Sequence, residues 1–277
     1  MTMDLYWIYD IPTLKLGLGI IGLYVGISLA GLAILRRWLH QAFDISSEMN
    51  EMTNGIFSGV GVLYGLLVGL VAVAAWQNYD SVDEIVSKEA SMTASLYRDV
   101  SALHSPARER MQHQLRNYLN EVIDVAWPLH RQGKADIEGA TILSQLHAEL
   151  ADYRPSALAD DALYRESLTA FNRLAEARRL RLGEVNTGIP AVFWLVIIIG
   201  ALLTLPLIYL FHTTRASTHF IVTSIYGMFM GSMIFLLVAV DNPLRGEVSI
   251  SSDAYQSVLQ SLESLDPNFW RSKSPHP

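Results

Sequence analysis

Small and polar residues recur on one face of an uncharged stretch, residues 55–75, in the first third of the chain. At about 100° per residue in a helix, they share one side, and bulky apolar residues take the other. The small side carries Asn54, Gly55, Ser58, Gly61, Val62, Gly65, Gly69 and Ala72. This pattern is typical of two structures: a small-xxx-small surface that packs closely against another helix, and the wall of an ion-conducting pore.

In a pore, each part of this face has a distinct role. Its polar residues offer hydrogen bonds near one mouth, and its glycines leave room for water and ions. Val62 and Leu66 are expected to form a narrow apolar constriction that gates by dewetting. The expected pore-lining residues are Asn54, Ser58, Val62, Gly65, Leu66 and Gly69.

Charged residues outside this stretch form a second candidate site. Glu89 follows the apolar line of the helix that continues from residues 55–75, so its carboxylate needs a partner. The available partners are Arg178, Arg179 and Arg181. We expect a structural ion pair between the first and last helices of the intervening domain. Two alternatives stay open: the arginines concentrate anions at an inner vestibule, or they contact anionic lipid.

No motif for catalysis or for a cofactor occurs in the chain. It contains no cysteine, which excludes disulfides and thiolate metal sites, and its eight histidines form no pair with metal-ligand spacing. Phosphate-binding glycine loops, nucleophile elbows and paired catalytic carboxylates are also absent. We therefore expect no enzymatic activity, no cofactor and no metal site. A net charge of −7 without a basic cluster argues against nucleic acid as a partner.

Four stretches without Asp, Glu, Lys, Arg or His divide the 277 residues: 16–35, 55–75, 191–211 and 220–240. Each is long enough to cross a hydrocarbon core of about 30 Å. The chain is therefore predicted to be an all-α polytopic membrane protein with four transmembrane helices. The predicted divisions are transmembrane helices 1 and 2 in residues 1–76, a helical domain in 77–186, transmembrane helices 3 and 4 in 187–241, and a tail in 242–277. Within the domain, Trp127-Pro128 is expected to break a helix.

Charge also predicts orientation and argues against coupled transport. Lys and Arg near the membrane are more numerous beside the helical domain than in the two short loops opposite. This distribution favours a cytoplasmic domain with cytoplasmic N- and C-termini. Pumps, coupled transporters and proton-driven motor stators usually keep an ionisable residue at membrane depth. The uncharged spans argue against all three.

Two segments resemble the bestrophin channels. The run VLYGLLVGLVAVAAWQNY, residues 62–79, is similar to the bestrophin pore helix, with Gly65, Trp76 and Tyr79 in register. The segment after the last stretch is similar to the Asn-Pro-Phe-Gly-Glu segment of bestrophins, with a leucine in place of the aromatic residue and an extra arginine. This segment consists of Asp241, Asn242, Pro243, Leu244, Arg245, Gly246 and Glu247. From about residue 60 to residue 246 the chain resembles a bacterial family called bestrophin-like, which is distantly related to these channels.

The resemblance implies a homopentamer in a bacterial inner (plasma) membrane, around a central pore lined by the second transmembrane helix. It favours anions, such as chloride, over cations as the permeant inorganic ions. Animal bestrophins follow this segment with a run of acids that binds calcium, whereas residues 248–252 here are VSISS. We therefore expect no calcium gating of that kind. The expected function is passive ion conduction by a self-assembled channel. The alternative is a non-conducting membrane scaffold or sensor whose helical domain binds a partner.

Overall fold

The computed structural model describes residues 5–42, 48–156 and 158–265, and all regular structure in them is helical. This confirms the predicted all-α fold class. The α-helices are α1 (Thr13–Ala42), α2 (Met49–Ser101), α3 (Ala107–Glu121), α4 (Trp127–Arg131), α5 (Glu138–Asp152), α6 (Leu158–Gly183), α7 (Ala191–Tyr209), α8 (Ala216–Asp241) and α9 (Asp253–Leu265). A π-helix at Val122–Ala126 joins α3 to α4, and 3₁₀ turns occur at Leu5–Asp10 and Glu184–Asn186.

Four helical segments are long and apolar enough to cross a membrane, as the sequence predicts. They lie within Thr13–Leu39, Met49–Ser101, Asp160–Tyr209 and Ala216–Asp241. The third segment starts in α6, and its uncharged part is α7, which ends at Tyr209 rather than at residue 211. The second is the 53-residue helix α2. It continues well past the span because residues 70–101 contain neither proline nor glycine.

The chain folds as two compact units, and the boundary between them falls inside α2, after Tyr79. Unit 1 contains α1, the first part of α2, α7 and α8. Unit 2 contains the remainder of α2 from Asp80, helices α3 to α6, and α9. The predicted tail from residue 242 thus includes a helix, α9, in which Tyr255 and Leu262 are buried. Residues 266–277 of that tail lie outside the described residues.

Unit 1 is held together by close contact between α1 and α8. A methyl group in place of the Gly231 hydrogen would lie 2.8 Å from the Cα of Ile21, and one at Gly227 would lie 3.2 Å from the Cα of Val25. Small residues let helix backbones approach in this way. Buried tyrosine hydroxyls add hydrogen bonds between helices: that of Tyr24 donates to the carbonyl of Ala201 over 2.6 Å. The two glycines therefore pack α8 against α1.

One side of α2 is fixed to the rest of unit 1. The hydroxyl of Tyr64 donates to the carbonyl of Ile197 over 3.0 Å. At the start of the helix, the Asn50 side chain pairs with the backbone of His212, donating over 3.1 Å and accepting over 2.7 Å. Val68 and Val71 join the apolar core. These contacts set which residues of α2 remain exposed in the single chain.

In unit 2, the chain stays helical through Trp127-Pro128, so the break predicted there is wrong. Proline lacks a backbone N–H and clashes with the preceding turn of a regular α-helix. Here the turn before it is the π-helix Val122–Ala126, whose wider hydrogen-bonding pattern accommodates the proline. The helix ends at Arg131, and Gly133 follows with a φ of +70°, a left-handed conformation that favours glycine.

Candidate functional site

The membrane part of α2 has one covered side and a wide uncovered one. Thr53, Val68, Val71 and Ala75 are buried against other parts of unit 1. At about 100° per residue, these four residues lie on one side of the helix. The sides that carry the predicted pore-lining residues and the bulky apolar residues are both exposed in the single chain.

The predicted pore-lining residues all lie on the uncovered surface. The exposed set is Asn54, Ser58, Val62, Gly65, Leu66 and Gly69. Val62 and Leu66 are 71% and 60% exposed, respectively. A methyl group added at Gly65 or Gly69 would meet no described atom within 4 Å. Packing within the chain therefore does not account for the small residues on this face, which is called the open face of α2 below.

An aromatic pair marks the end of the open face. Trp76 is 59% exposed. Its ring stacks on that of Tyr79, with centroids 5.7 Å apart and planes inclined by 13°. By helical periodicity, Trp76 lies on the same side as Ser58 and Gly65. Tryptophan and tyrosine are typical of the interface between membrane and water, so the pair is suited to the boundary of the uncharged span.

In unit 2, Glu89 forms a fully buried ion pair with Arg181. Both side chains have no solvent exposure, and Nε of Arg181 lies 2.7 Å from Oε2 of Glu89. Nη2 of Arg181 lies 3.2 Å from Oε1, so the contact is bidentate, which is the strongest geometry for this pair. The hydroxyl of Tyr118 donates a further hydrogen bond to Oε1. Because the carboxylate accepts three donors, its burial is compensated.

The other side of the Arg181 guanidinium is enclosed by aromatic rings. A ring nitrogen of His130 lies 3.1 Å from Nη1. Burial, and then the charge of Arg181, lower the pKa of His130 to about 3, so the ring is neutral and can accept this hydrogen bond. The rings of Trp127 and Tyr255 have centroids 5.9 Å and 6.0 Å from the guanidinium carbon, within the range of cation–π contacts. The ion pair therefore links α2, α3, α4, α6 and α9.

The three candidate arginines have different surroundings. Arg181 contacts Glu89, whereas Arg178 lies 3.4 Å from the carboxylate of Asp136. Arg179 is exposed. Sequence reasoning did not identify Asp136 or His130 as partners. Asp136 stands just before the helix that starts at Glu138, where an acidic residue often accepts backbone N–H groups, and this position was the available signal.

The segment after α8 forms hydrogen bonds with other residues of unit 1 that lie near the ends of α1 and α7. Asp241 accepts hydrogen bonds from the hydroxyl of Tyr9 over 2.8 Å and from the N–H of Ile189 over 2.6 Å. The Asn242 side chain donates to the same Tyr9 oxygen over 2.7 Å. Glu247 accepts the N–H of Thr13, the first residue of α1, over 2.7 Å. Within unit 1, these contacts therefore join the segment after α8 to Tyr9, to the start of α1 and to Ile189 just before α7.

Arg245, the extra residue of this segment, is buried within unit 2. Nη2 donates to the side-chain oxygen of Asn186 over 2.6 Å. The guanidinium also occupies the space beside Gly133, where a methyl group would lie 1.2 Å from Nη2. Arg245 therefore depends on glycine at position 133. In the same segment, the backbone carbonyl of Pro243 accepts the N–H of Ile250 over 2.8 Å. In residues 5–42, 48–156 and 158–265, no group of three His, Asp or Glu side chains could hold a metal ion.

Comparisons with known proteins agree with this architecture. The Bestrophin-like domain family matches residues 22–255. A crystal structure of a mutated bacterial bestrophin homologue from Klebsiella pneumoniae is similar at a TM-score of 0.66 and 14% identity, covering 90% of this chain and 98% of that one. The same homologue solved by Zn-SAD phasing gives a TM-score of 0.65 and 14% identity over 90% and 97%. A mutated membrane protein gives a TM-score of 0.67 and 14% identity over 90% and 98%. No curated protein matches the chain.

The family match covers most of the sequence, and the chain belongs to the Bestrophin-like family. The structural matches, at this level of identity, show the same fold. The family resemblance inferred from residues 62–79 and from the segment after α8 is thereby confirmed. Membership of this family suggests an ion-channel subunit in a membrane.

Proposed function

We propose that this protein assembles with copies of itself, as a pentamer, into a passive ion channel whose pore is lined by α2. The observation that carries the proposal is the open face of α2: a methyl group added at Gly61, Gly65 or Gly69 would meet no described atom within 4 Å beyond its own helical turn. A ring of identical helices around water gives that face a surrounding that suits its small and polar residues. Family membership supports the same function.

The uncharged span accounts for passive conduction. No Asp, Glu, Lys, Arg or His occurs in residues 55–75, so the helix offers none of the groups that usually couple ion movement to protons at membrane depth. Val62 and Leu66 project apolar side chains from the open face. In a ring of subunits they form a narrow, weakly hydrated section that gates by dewetting. The remaining small residues leave wider sections on either side.

We propose that anions pass in preference to cations, and the resemblance to bestrophins supports this preference. The arginines support it less than the sequence indicates. Arg178 and Arg181 are each paired with a carboxylate, which neutralises their charge locally. Arg179 is the exposed member of the three and is the candidate for attracting anions. Selectivity is then expected to depend mainly on ion size and hydration at the uncharged constriction.

The proposal also covers the orientation of the protein in the membrane and the role of calcium in gating. The distribution of Lys and Arg favours unit 2 and both termini in the cytoplasm of a bacterium, with the helices of unit 1 in its plasma membrane. The residues after Glu247 lack the acidic run that binds calcium in animal bestrophins. We therefore propose gating that does not use such a calcium clasp, and no enzymatic activity.

Ion flux through the purified protein in liposomes tests the proposal. Chloride, sodium and potassium fluxes are compared for the wild-type protein and for Val62→Ala and Leu66→Ala, which widen the proposed constriction. Val60→Ala is the matched control, because Val60 is an exposed valine on another side of α2. We expect flux that the first two changes alter and the control does not. Absence of flux across several values of pH and voltage would favour the scaffold or sensor function instead.

A further inference from the structure

Two buried carboxyl groups meet in unit 2, where α3, α5 and α6 come together. Glu121 is the last residue of α3, Asp136 precedes α5, and each is 6% exposed. Both converge on Gly139, near the start of α5. A methyl group at Gly139 would lie 2.7 Å from Oε2 of Glu121 and 2.9 Å from Oδ2 of Asp136. Glycine at this position therefore lets the two carboxyl groups approach each other.

The two groups differ in what they bind. Asp136 accepts the N–H of Glu138 over 2.8 Å and that of Gly139 over 2.9 Å, and Arg178 lies 3.4 Å from its Oδ2. Neither oxygen of Glu121 has a donor among the described residues. An ionised carboxylate can only accept hydrogen bonds, and leaving one buried without donors is costly. The surroundings of Glu121 therefore suit a neutral carboxyl group.

A proton on Glu121 satisfies both groups, because the protonated carboxyl can donate to Asp136. Burial, together with the hydrogen bond to Asp136, raises the pKa of Glu121 to about 8. For Asp136, burial acts in the upward direction, but the N–H groups of Gly139 and Glu138 and the charge of Arg178 lower its pKa overall. The two environments thus shift the pKa values of Glu121 and Asp136 in opposite directions, which leaves Asp136 ionised and Glu121 neutral at pH 7.

Other charged groups around the pair come from several helices. Arg178 and Arg181 of α6 act against protonation of Glu121. His130 of α4 is neutral, as described above. On the outer side, a polar groove of about 530 Å³ between α3 and α5 is lined by Glu121 itself together with Asp124 and Glu138. The groove brings solvent close to the pair.

We propose that Glu121 and Asp136 share a single proton, and that its loss opens the junction of α3, α5 and α6. Two adjacent carboxylates in a buried site repel each other, and the Arg178 guanidinium, whose unpartnered Nε lies beside Gly139, supplies one positive charge for two negative ones. The junction must therefore admit water. Unit 2 is then a pH-responsive element. Because every residue of the site lies in unit 2, this proposal does not depend on α2 lining a pore.

The direction of the pH dependence follows from the ordinary pKa of 4.5 for glutamate and about 8 in the folded chain. Between these values the closed junction holds a proton that the open one releases. The equilibrium for opening therefore rises about tenfold per pH unit and levels above the folded pKa. The closed junction is most stable at acidic pH.

Backbone hydrogen exchange of the full-length protein in detergent micelles measures this opening directly. The signal is the protection of amides in residues 136–143 relative to their intrinsic exchange rates, which corrects for base catalysis. From pH 6 to about pH 8, we expect protection to fall about tenfold per unit and then to level. Protection that does not change with pH in this range would overturn the proposal with the wild-type protein alone.

Two variants assign the effect to the pair. Glu121→Gln carries an amide that can donate to Asp136 but does not titrate, so protection should become independent of pH. Asp124→Asn is the matched control, because Asp124 is an exposed acid in the adjoining π-helix, and it should retain the wild-type slope. A wild-type slope in Glu121→Gln would show that another group titrates and would overturn the assignment. The infrared band of a protonated carboxyl at neutral pH, present in the wild-type protein and absent from Glu121→Gln, is expected as a second signature.

Discussion

The two parts of α2 differ in how the rest of the chain covers them. Residues 49–79 keep an uncharged face of small residues that no described part of their unit covers. Residues 80–101 instead bury a charged side chain, Glu89, and complete its hydrogen bonds with Arg181 and Tyr118. A charge that is buried within the chain needs its counter-charge and its hydrogen-bond partners from the same chain. A face that the chain leaves open is available to other copies, water, ions or lipid.

The glycines of α2 and α8 show the same contrast between similar sequence patterns. In α8, Gly227 and Gly231 are closed by the backbone of α1, with 3.2 Å and 2.8 Å to the nearest Cα atoms from an added methyl group. In α2, Gly61, Gly65 and Gly69 would meet nothing within 4 Å. Spacing of four residues therefore indicates a surface for close approach, but the partner decides whether the surface packs or lines a cavity.

The largest expected effect is loss of the buried ion pair. Glu89→Gln leaves the guanidinium of Arg181 buried without a counter-charge, and this should lower the free energy of unfolding by about 3–5 kcal/mol. Denaturant unfolding of the detergent-solubilised protein measures the change. The matched control is Glu84→Gln, an exposed glutamate on the same helix, with an expected effect within about 0.5 kcal/mol.

Similar losses in both glutamine variants would contradict the difference between buried and exposed carboxylates. Joint replacement of Glu89 and Arg181 by methionine and leucine sharpens the test. Removing both charges avoids an unpaired buried ion, so the double variant should be more stable than Glu89→Gln. A double variant that is more stable than the single one is expected only if the two charges neutralise each other in the folded protein.

The second effect concerns the glycine contacts. Gly231→Ala places a methyl group against the backbone of Ile21, which is too close without movement of α1 or α8. Overpacking of this kind should cost about 1–3 kcal/mol in thermal or denaturant unfolding. Gly65→Ala, on the open face, should instead be neutral or stabilising by up to about 1 kcal/mol, because nothing obstructs the methyl group and alanine favours a helix over glycine. Equal losses would mean that the open face is in fact packed.

Much of the fold can be predicted from the sequence because its strongest signals are local. Each span is a long uncharged stretch, and α2 extends beyond the span because nothing interrupts it before Ser101. The exposed position of Val62 and Leu66 follows from the same periodicity that separates small from bulky residues. The π-helix before Pro128 was not predictable in this way, because it depends on how the turn packs in unit 2.

The polar partners could be predicted only in part, because they join residues far apart in the chain. The position of Glu89 on an apolar line shows that it needs a cation, but 92 positions separate it from Arg181, and periodicity does not distinguish Arg181 from Arg178. The neighbouring acids Glu121 and Asp136 belong to different helices and share no motif. Such contacts depend on tertiary packing rather than on local patterns.

A third prediction separates the two uses of the open face. Gly65→Leu adds bulk where the chain leaves space, so the subunit should fold normally. If the face lines a pore, the oligomer seen by native mass spectrometry persists and liposome flux falls about tenfold or more, because leucine obstructs a narrow channel. Gly22→Leu, at an equally unobstructed glycine in α1, is the control. Dissociation of the oligomer in Gly65→Leu, with the control intact, would instead assign the face to packing between subunits.

The smallest expected effect is that of calcium. Glu247 is the last residue of the segment resembling bestrophins, and its carboxylate accepts the N–H of Thr13 at the start of α1 over 2.7 Å. This hydrogen bond lowers the pKa of Glu247, and a negative charge at a helix N-terminus is favourable without any metal. Calcium prefers six to eight oxygen ligands, and residues 248–252 supply no further carboxylate. Liposome flux should therefore be the same in calcium and in excess chelator. A chelator effect that persists in Glu247→Gln would place a calcium site elsewhere, whereas an effect abolished by that change would make Glu247 a ligand rather than a helix cap.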